Sequence, residues 1–167
     1  MKLYVIRHGA ACDRASFARS RRPDSERPLT PDGRDKMRAS ARGLRVLVKS
    51  FDRILTSPYA RASETADIVA RVFEGPQPEP LEALTPGGRS DDVLATLRHG
   101  DAQSIAMVGH EPDLSMLIAW FVTGSSTPFC ELKKGGVCLL EWDRTPAAGE
   151  AKLQWISSPK LLRRMVG

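Results

Sequence analysis

Residues 2–10 read KLYVIRHGA, in which four apolar residues run straight into arginine, histidine and glycine. A short unbroken apolar run rich in branched side chains is how a strand of a parallel sheet reads, because both of its faces are covered. The abrupt change at Arg7, His8 and Gly9 therefore sets three special residue types at the carboxyl end of a buried strand. The same tripeptide returns at Arg98, His99 and Gly100, inside TLRHGD, and the two copies need separate readings.

Two further runs resemble the first: RILTS at 53–57 and SIAMVG at 104–109. Between the first two lies LTPDGRDKMRASARGLRVLVKS, where Thr30 is placed to cap a helix, Pro31 suits its first turn, and Met37, Ala41, Leu44 and Val48 share one stripe. A second amphipathic helix is predicted in PYARASETADIVARVFEG, with Ala62, Ala66, Val69 and Phe73 in register and Gly75 as its stop. The following GPQPEPLEALTPGG holds four prolines and three glycines and reads as an extended connection rather than an element.

The connection leads to SDDVLATLRHG, a helix with Ser90 as cap, Asp91 and Asp92 at its positive end, and Val93, Leu94 and Leu97 inward. Here the second tripeptide explains itself. Arg98 and His99 fall in a last helical turn and Gly100 is the left-handed terminator. A nearly all-apolar helix follows in PDLSMLIAWFVTG, then two strands, GGVCLLEW and KLQWISS, close enough to form an antiparallel pair. The order β-α-β-α-α-β-α-β-β predicts an α/β three-layer sandwich with a mostly parallel central sheet and an antiparallel strand near the C-terminus. With no internal repeat and no dividing linker, residues 1–167 are expected to form one domain.

Composition is ordinary for a soluble globular protein: 41% of residues are apolar and 27% charged. The longest apolar stretch, 114–122, is interrupted by Ser115 and is shorter than the roughly 18 residues a membrane span needs. The N-terminus lacks the residue order of a signal peptide, so a cytoplasmic protein is expected, with no membrane partner. Cys12, Cys130 and Cys138 form no CxxC pair and suggest neither a disulfide framework nor a cysteine zinc site. The net charge of +5 suits an acidic partner, and a solvated basic face accounts for it equally well. No nucleic-acid signature is present, and aromatic residues for stacking on bases are few.

In an open parallel sheet, ligands collect beyond the carboxyl ends of the strands. Three strands deliver polar groups there: Arg7, His8 and Gly9 from the first, Ser57 and then Arg61 from the second, and His110 from GHEP after the third. Two arginines and two histidines brought together repel one another and lose water. A bound dianion resolves the conflict, and phosphate matches guanidinium forks two oxygens at a time. A metal site built from His8, His110, Cys12, Asp13 or Glu111 is disfavoured, since flanking arginines repel a cation and no HxxxH-type spacing occurs.

RHG closing the first strand, SPYARASETA after the second and GHEP after the third together resemble the histidine phosphatase superfamily, whose relatives include the cofactor-dependent phosphoglycerate mutases. The short chain, RPLTPDGR at 27–34, LEALTPGG at 81–88 and WISSPKLL at 155–162 look like its compact SixA-type phosphohistidine phosphatase branch. The resemblance implies a phosphoglycerate mutase-like fold, His8 as the nucleophile that takes the phosphoryl group, and Arg7, Arg61 and His110 as ligands of its oxygens. It implies no cofactor and no metal.

Elementary chemistry agrees, because a neutral imidazole is nucleophilic near pH 7 and fixed guanidiniums stabilise a transferring phosphoryl group. Gly9 is expected to let the backbone pass close to the ligand, and Ser57 to donate a hydrogen bond or to serve as a turn residue. Many relatives use a carboxylic acid to protonate the leaving oxygen, a place for which Glu82 is the candidate here, while Glu111 reads as an ion-pair partner or helix-end charge. A leaving imidazole needs less help than an alkoxide, so weak acid equipment suits a phosphoramidate. The stretch 75–103 is too short for a folded lid, which suits a protruding phosphohistidine on another protein, such as a histidine phosphotransfer domain. The alternatives are a small-molecule phosphomonoesterase of the same superfamily and a non-catalytic phosphate-binding module.

Overall fold

The computed structural model describes residues 1–166. A sheet of six strands, β1 (Lys2–Arg7), β2 (Arg53–Thr56), β3 (Glu79–Pro80), β4 (Ser104–Gly109), β5 (Val137–Glu141) and β6 (Lys152–Ser157), runs in the order β3-β2-β4-β1-β5-β6. β1, β2, β3 and β4 are mutually parallel, whereas β5 pairs antiparallel with β1 and with β6. The expected architecture is therefore present, with the antiparallel strand where it was anticipated.

Alternation along β1 shows why its apolar run is unbroken. Tyr4 and Ile6 join one core with Met37, Ala41, Leu44, Ala62, Ala66 and Val69. Leu3 and Val5 join another, with Leu94, Leu97, Leu114, Ile118 and Phe121. The first core lies under α2 (Pro31–Leu47) and α3 (Ala60–Phe73), the second under α4 (Ser90–Arg98) and α5 (Asp113–Thr123). Each strand side chain is thus covered whichever face it takes, at about 2 kcal/mol for a buried leucine or isoleucine.

Several local expectations need correction. Ser90 is the first residue of α4 and Arg89 precedes it as cap without a side-chain hydrogen bond. α3 ends at Phe73 and is capped by Glu74, a non-glycine residue at φ 52°, and Gly75 follows, donating to the Ala70 carbonyl. The proline-rich connection is not featureless: Glu79–Pro80 pairs with Leu55 and Thr56 as β3, and Glu82–Leu84 forms a 3-10 turn. Edge position makes the strand possible, because a proline there forfeits no interior ladder bond.

Two helices carry no sequence signal long enough to read. α1 (Arg14–Ala18) is five residues capped by Asp13, and α6 (Pro159–Arg164) is six residues capped by Ser158. α6 packs on α2 so closely that a Cβ at Gly43 would sit 1.8 Å from the Leu162 carbonyl oxygen. Thr30 caps α2 as expected, accepting from the Gly33 amide at 2.9 Å.

The chain leaves β1 toward β2 on one side, while β4, lying between them, leads by way of α5 to β5 on the other. A crevice opens at the carboxyl ends of two such neighbours. His8 directly follows β1 and His110 directly follows β4, with Arg7 and Gly109 paired across the ladder.

Candidate active site

The structure brings the four principal residues together. The rings of His8 and His110 lie 5.1 Å apart, centroid to centroid, and the Tyr59 ring stands 5.3 Å from His110. The Arg61 guanidinium sits 5.0 Å from the centre of that same tyrosine ring. His8, Arg61 and His110 are each less than a tenth exposed. Arg7, at the end of β1, keeps 17% of its side chain exposed.

Hydrogen bonds decide which nitrogen of each histidine is available. His8 Nδ1 lies 2.7 Å from the Gly9 carbonyl oxygen, so Nδ1 carries the proton and Nε2 keeps its lone pair. The Gly9 amide in turn donates to Thr65 Oγ1 at 3.0 Å, and the Thr65 hydroxyl donates to the Arg61 carbonyl at 2.7 Å. Gly9 therefore enters the site as the group that orients His8. A Cβ on Gly9 would lie 3.3 Å from Leu29, on the side of the core.

Ser57, fully buried, places Oγ 2.8 Å from His110 Nε2 while accepting the Tyr59 amide at 3.3 Å. Among the described residues His110 is the only acceptor within reach of that hydroxyl, so Ser57 donates to Nε2 and the His110 proton resides on Nδ1.

Arg61 is held from outside the sheet. Its Nη1 donates to the Asp24 carbonyl at 2.9 Å, and its Nη2 lies 3.2 Å from the Asp24 carboxylate. That carboxylate also accepts from Arg27 Nε at 2.8 Å. Partial burial pushes the Asp24 carboxyl up, but the Arg27 hydrogen bond and the charges of Arg61, Arg27 and Arg14 outweigh it and hold the group below its usual range. Arg7 is anchored by the Leu132 carbonyl at 2.5 Å and by Glu131 at 3.3 Å.

After these bonds are made, three buried polar atoms remain without a partner among the described residues: Arg7 Nε, Arg61 Nε and His110 Nδ1. All three are donors. Unpaired buried donors cost about 1–3 kcal/mol each, and all three belong to residues of the candidate site.

The charge balance points the same way. Burial lowers the His8 pKa to about 4, the Gly9 hydrogen bond opposes this, and the charges of Arg61, Arg7 and Arg27 reinforce it. His110 falls to about 3, first by burial, then by Arg61 and His8. Both imidazoles are neutral at pH 7.

Arg27, Asp24 and Thr65 were not singled out from the sequence. Thr65 had a signal, one helical turn beyond Arg61 within SPYARASETA, whereas Asp24 reaches Arg61 across 37 positions and had none. Glu82 lies exposed on the 3-10 turn, and its carboxylate makes no hydrogen bond or ion pair among the described residues. Glu111 is occupied on both oxygens, by Ser115 at the start of α5 and by the Leu132 amide, which suits the helix-end reading.

Comparison with known proteins bears on the same residues. The family model of the histidine phosphatase superfamily (branch 1) matches residues 3–86. The chain is 36% identical to an uncharacterized protein of Picosynechococcus sp. (strain ATCC 27264 / PCC 7002 / PR-6), over 97% of this chain and 99% of that one. It is 32% identical to phosphohistidine phosphatase SixA of Escherichia coli (strain K12), over 95% of this chain and 94% of the relative. A structure of the protein histidine phosphatase SixA complexed with tungstate matches at TM-score 0.82 and 30% identity, covering 97% of this chain and 99% of that one. Phosphoglycerate mutase from Bacillus anthracis str. Sterne shares the fold, at TM-score 0.68 and 15% identity over 99% of this chain and 96% of its own. On this evidence the chain belongs to the histidine phosphatase superfamily, in its compact SixA-type branch.

Proposed function

We propose that this phosphatase removes the phosphoryl group from a histidine-phosphorylated protein, such as a histidine phosphotransfer domain, through a covalent intermediate on His8. The observation that carries the reading is that the three unpaired buried donors belong to Arg7, Arg61 and His110, alongside His8, whose ring lies 5.1 Å from that of His110 and whose Nδ1 is taken by the Gly9 carbonyl. Three oxygens of a phosphoryl group are acceptors of the kind these donors lack.

In the first step the His8 Nε2 lone pair forms a bond to phosphorus as the bond to the partner's imidazole nitrogen breaks. The departing imidazole keeps that electron pair and takes a proton from water. In the second step a water oxygen attacks phosphorus, the bond to Nε2 breaks, the water's proton passes to solvent, and inorganic phosphate leaves. Arg7 and Arg61 meet charge that spreads over the oxygens during both transfers, and they are already fixed by Leu132, Glu131 and Asp24, so little reorganisation is required. Ser57 orients His110, and Glu82 stands outside this sequence as the candidate acid for substrates that leave as an alkoxide.

The segment between α3 and β4 supports a macromolecular substrate. It is spent on β3, a 3-10 turn and α4, whose Val93, Leu94 and Leu97 are core residues, which leaves little chain for a separately folded lid. A cytoplasmic site of action is supported by the three free thiols of Cys12, Cys130 and Cys138, which a reducing compartment preserves. Among the described residues no helix is long and apolar enough to cross a membrane.

The test is to mix the enzyme with a phosphorylated histidine phosphotransfer domain, with p-nitrophenyl phosphate and with sugar phosphates, each with and without a chelator. Rapid release from the phosphorylated domain, insensitivity to chelator and an acid-labile phosphoryl group mapped to His8 are expected. Efficient turnover of sugar phosphates with no action on the protein would overturn the reading.

A further inference from the structure

We infer that the arginine-bearing loop 12–28 is a docking surface for an acidic protein, the same partner whose phosphohistidine enters the site. The inference rests on the function proposed above and adds to it the surface and the partner's charge.

The loop is closed at its base and pinned to the catalytic crevice. Ala11 and Leu29 form a β-bridge, the Cys12 amide donates to the Pro28 carbonyl at 2.9 Å, and Arg27 Nη1 donates to the Cys12 carbonyl at 2.8 Å. Its base thus begins three residues after His8, and its Asp24 grips Arg61. Compact surface loops with joined ends are frequent carriers of function.

Residues 14–22 of the loop hold four arginines, Arg14, Arg19, Arg21 and Arg22, all exposed, and no acidic residue. The loop has three acids. Asp13 caps α1 by accepting from the Ser16 amide at 2.8 Å, Asp24 is taken by Arg61 and Arg27 with Arg14 at 3.7 Å, and Glu26 pairs with Arg22 at 2.8 Å, so five arginines against three acids leave the loop net positive. Neither the Arg19 nor the Arg21 side chain has a hydrogen bond or ion pair among the described residues. In a second segment, exposed Lys133 and Lys134 precede Gly135, whose amide donates to the carbonyls of Arg7 at 3.0 Å and His8 at 3.2 Å. Exposed cations with no ion pair among the described residues, Arg19 and Arg21 on the loop and Lys133 and Lys134 before Gly135, thus lie on two segments that are tied to the site.

A small phosphate ester gains little from this arrangement, because Arg7 and Arg61 already meet its charge inside the crevice. Charge displayed outside the crevice acts instead on an extended anionic surface, where it steers encounter and fixes orientation. Nucleic acid fits less well, since the loop's single aromatic residue, Phe17, is covered by the Arg22 guanidinium 5.5 Å from its ring centre. Carboxylates flanking a protein phosphohistidine complement the loop.

The experiment compares the wild type with the double variant R19E/R21E, neither position belonging to the catalytic residues. Substrates are a histidine-phosphorylated phosphotransfer domain of acidic surface, one of basic surface, and free phosphohistidine. For the acidic domain at low salt, the variant is expected to lose on the order of ten-fold or more in kcat/KM, mainly through KM. That gap should close at roughly 0.5 M salt, where screening confines charge effects to a few ångströms. Free phosphohistidine should be hydrolysed equally by both proteins, which also certifies the variant's fold, and the wild type should prefer the acidic domain over the basic one.

Equal wild-type and variant rates on the acidic domain would overturn the docking inference alone, leaving the proposed function in place. So would equal losses on free phosphohistidine. A wild type inactive on every phosphorylated domain would overturn the function itself and the inference with it. Unchanged protein kinetics together with lost binding to duplex DNA would reassign the loop to nucleic acid and overturn the inference.

Discussion

The two Arg-His-Gly tripeptides are identical in sequence and opposite in circumstance. The first follows a strand buried on both faces, and its histidine is 7% exposed, oriented by the Gly9 carbonyl and placed 5.1 Å from a second imidazole. The second closes α4 at the solvent surface. There Arg98 spends Nε on the Pro146 carbonyl, and Gly100 adopts φ 90° with open space around it. It lines a surface concavity with Asp52, Arg53 and Gln103, at the amino ends of β2 and β4, far along the strands from the crevice. Chemistry resides in what converges on a tripeptide from elsewhere in the chain.

Paired substitutions sharpen this contrast. His8→Ala is expected to lower turnover of a phosphohistidine protein by at least ~10³-fold, because the nucleophile and the covalent route vanish together. His99→Ala should leave turnover within error, and a steady-state assay of the two proteins decides it. A comparable loss in both would break the distinction drawn between the copies.

The arginines give a smaller difference. Arg61→Ala should cost about 3 kcal/mol in the transition state, or roughly 100-fold in kcat, as removal of one preorganised donor does elsewhere. Arg98→Ala should leave kcat unchanged. If Arg61→Ala instead raised KM with kcat intact, Arg61 would bind the ground state and the transition state alike, and its role would be anchorage.

A third contrast concerns stability. His8 and His110 have pKa values of about 4 and about 3 in the folded protein against 6.5 as their ordinary value. The unfolded chain therefore takes up protons that the folded one refuses as pH falls below 6.5. The histidines' contribution is fully present above that value and is lost as pH drops toward the folded pKa, at about 1.4 kcal/mol per pH unit for each. Chemical denaturation between pH 7 and 4 should show this slope, and His8→Asn should remove one histidine's share. An unchanged slope in His8→Asn would mean that burial does not separate the first tripeptide from ordinary surface histidines.

Legibility in the sequence followed distance along the chain. The runs at 3–6, 53–57 and 104–109 declared buried strands, and Thr30, Gly100 and the stripe of Met37, Ala41 and Leu44 declared helix ends and faces, because these signals are written within one or two turns. α1 and α6 were missed because five or six residues are too few to show a helical period, and α6 holds its place through close contact with Gly43 of α2. β3 was missed because prolines hide a strand unless it is known to lie at an edge. The same rule applies at the site: strand ends supplied Arg7, His8, Ser57, Arg61 and His110 as candidates, while Asp24 and Arg27, which hold and bias them, came from a loop with no periodicity of its own.

Apolar periodicity and capping chemistry are properties of neighbouring residues, so the primary structure was sufficient for the layered α/β plan and for the strand ends where polar groups gather. Folding in three dimensions settled the rest: which tripeptide is buried, which nitrogen of His8 is left with a lone pair, and how Asp24 secures a guanidinium 37 positions away. Those outcomes depend on desolvation and on hydrogen bonds between distant segments, and neither exists until the chain has closed around them.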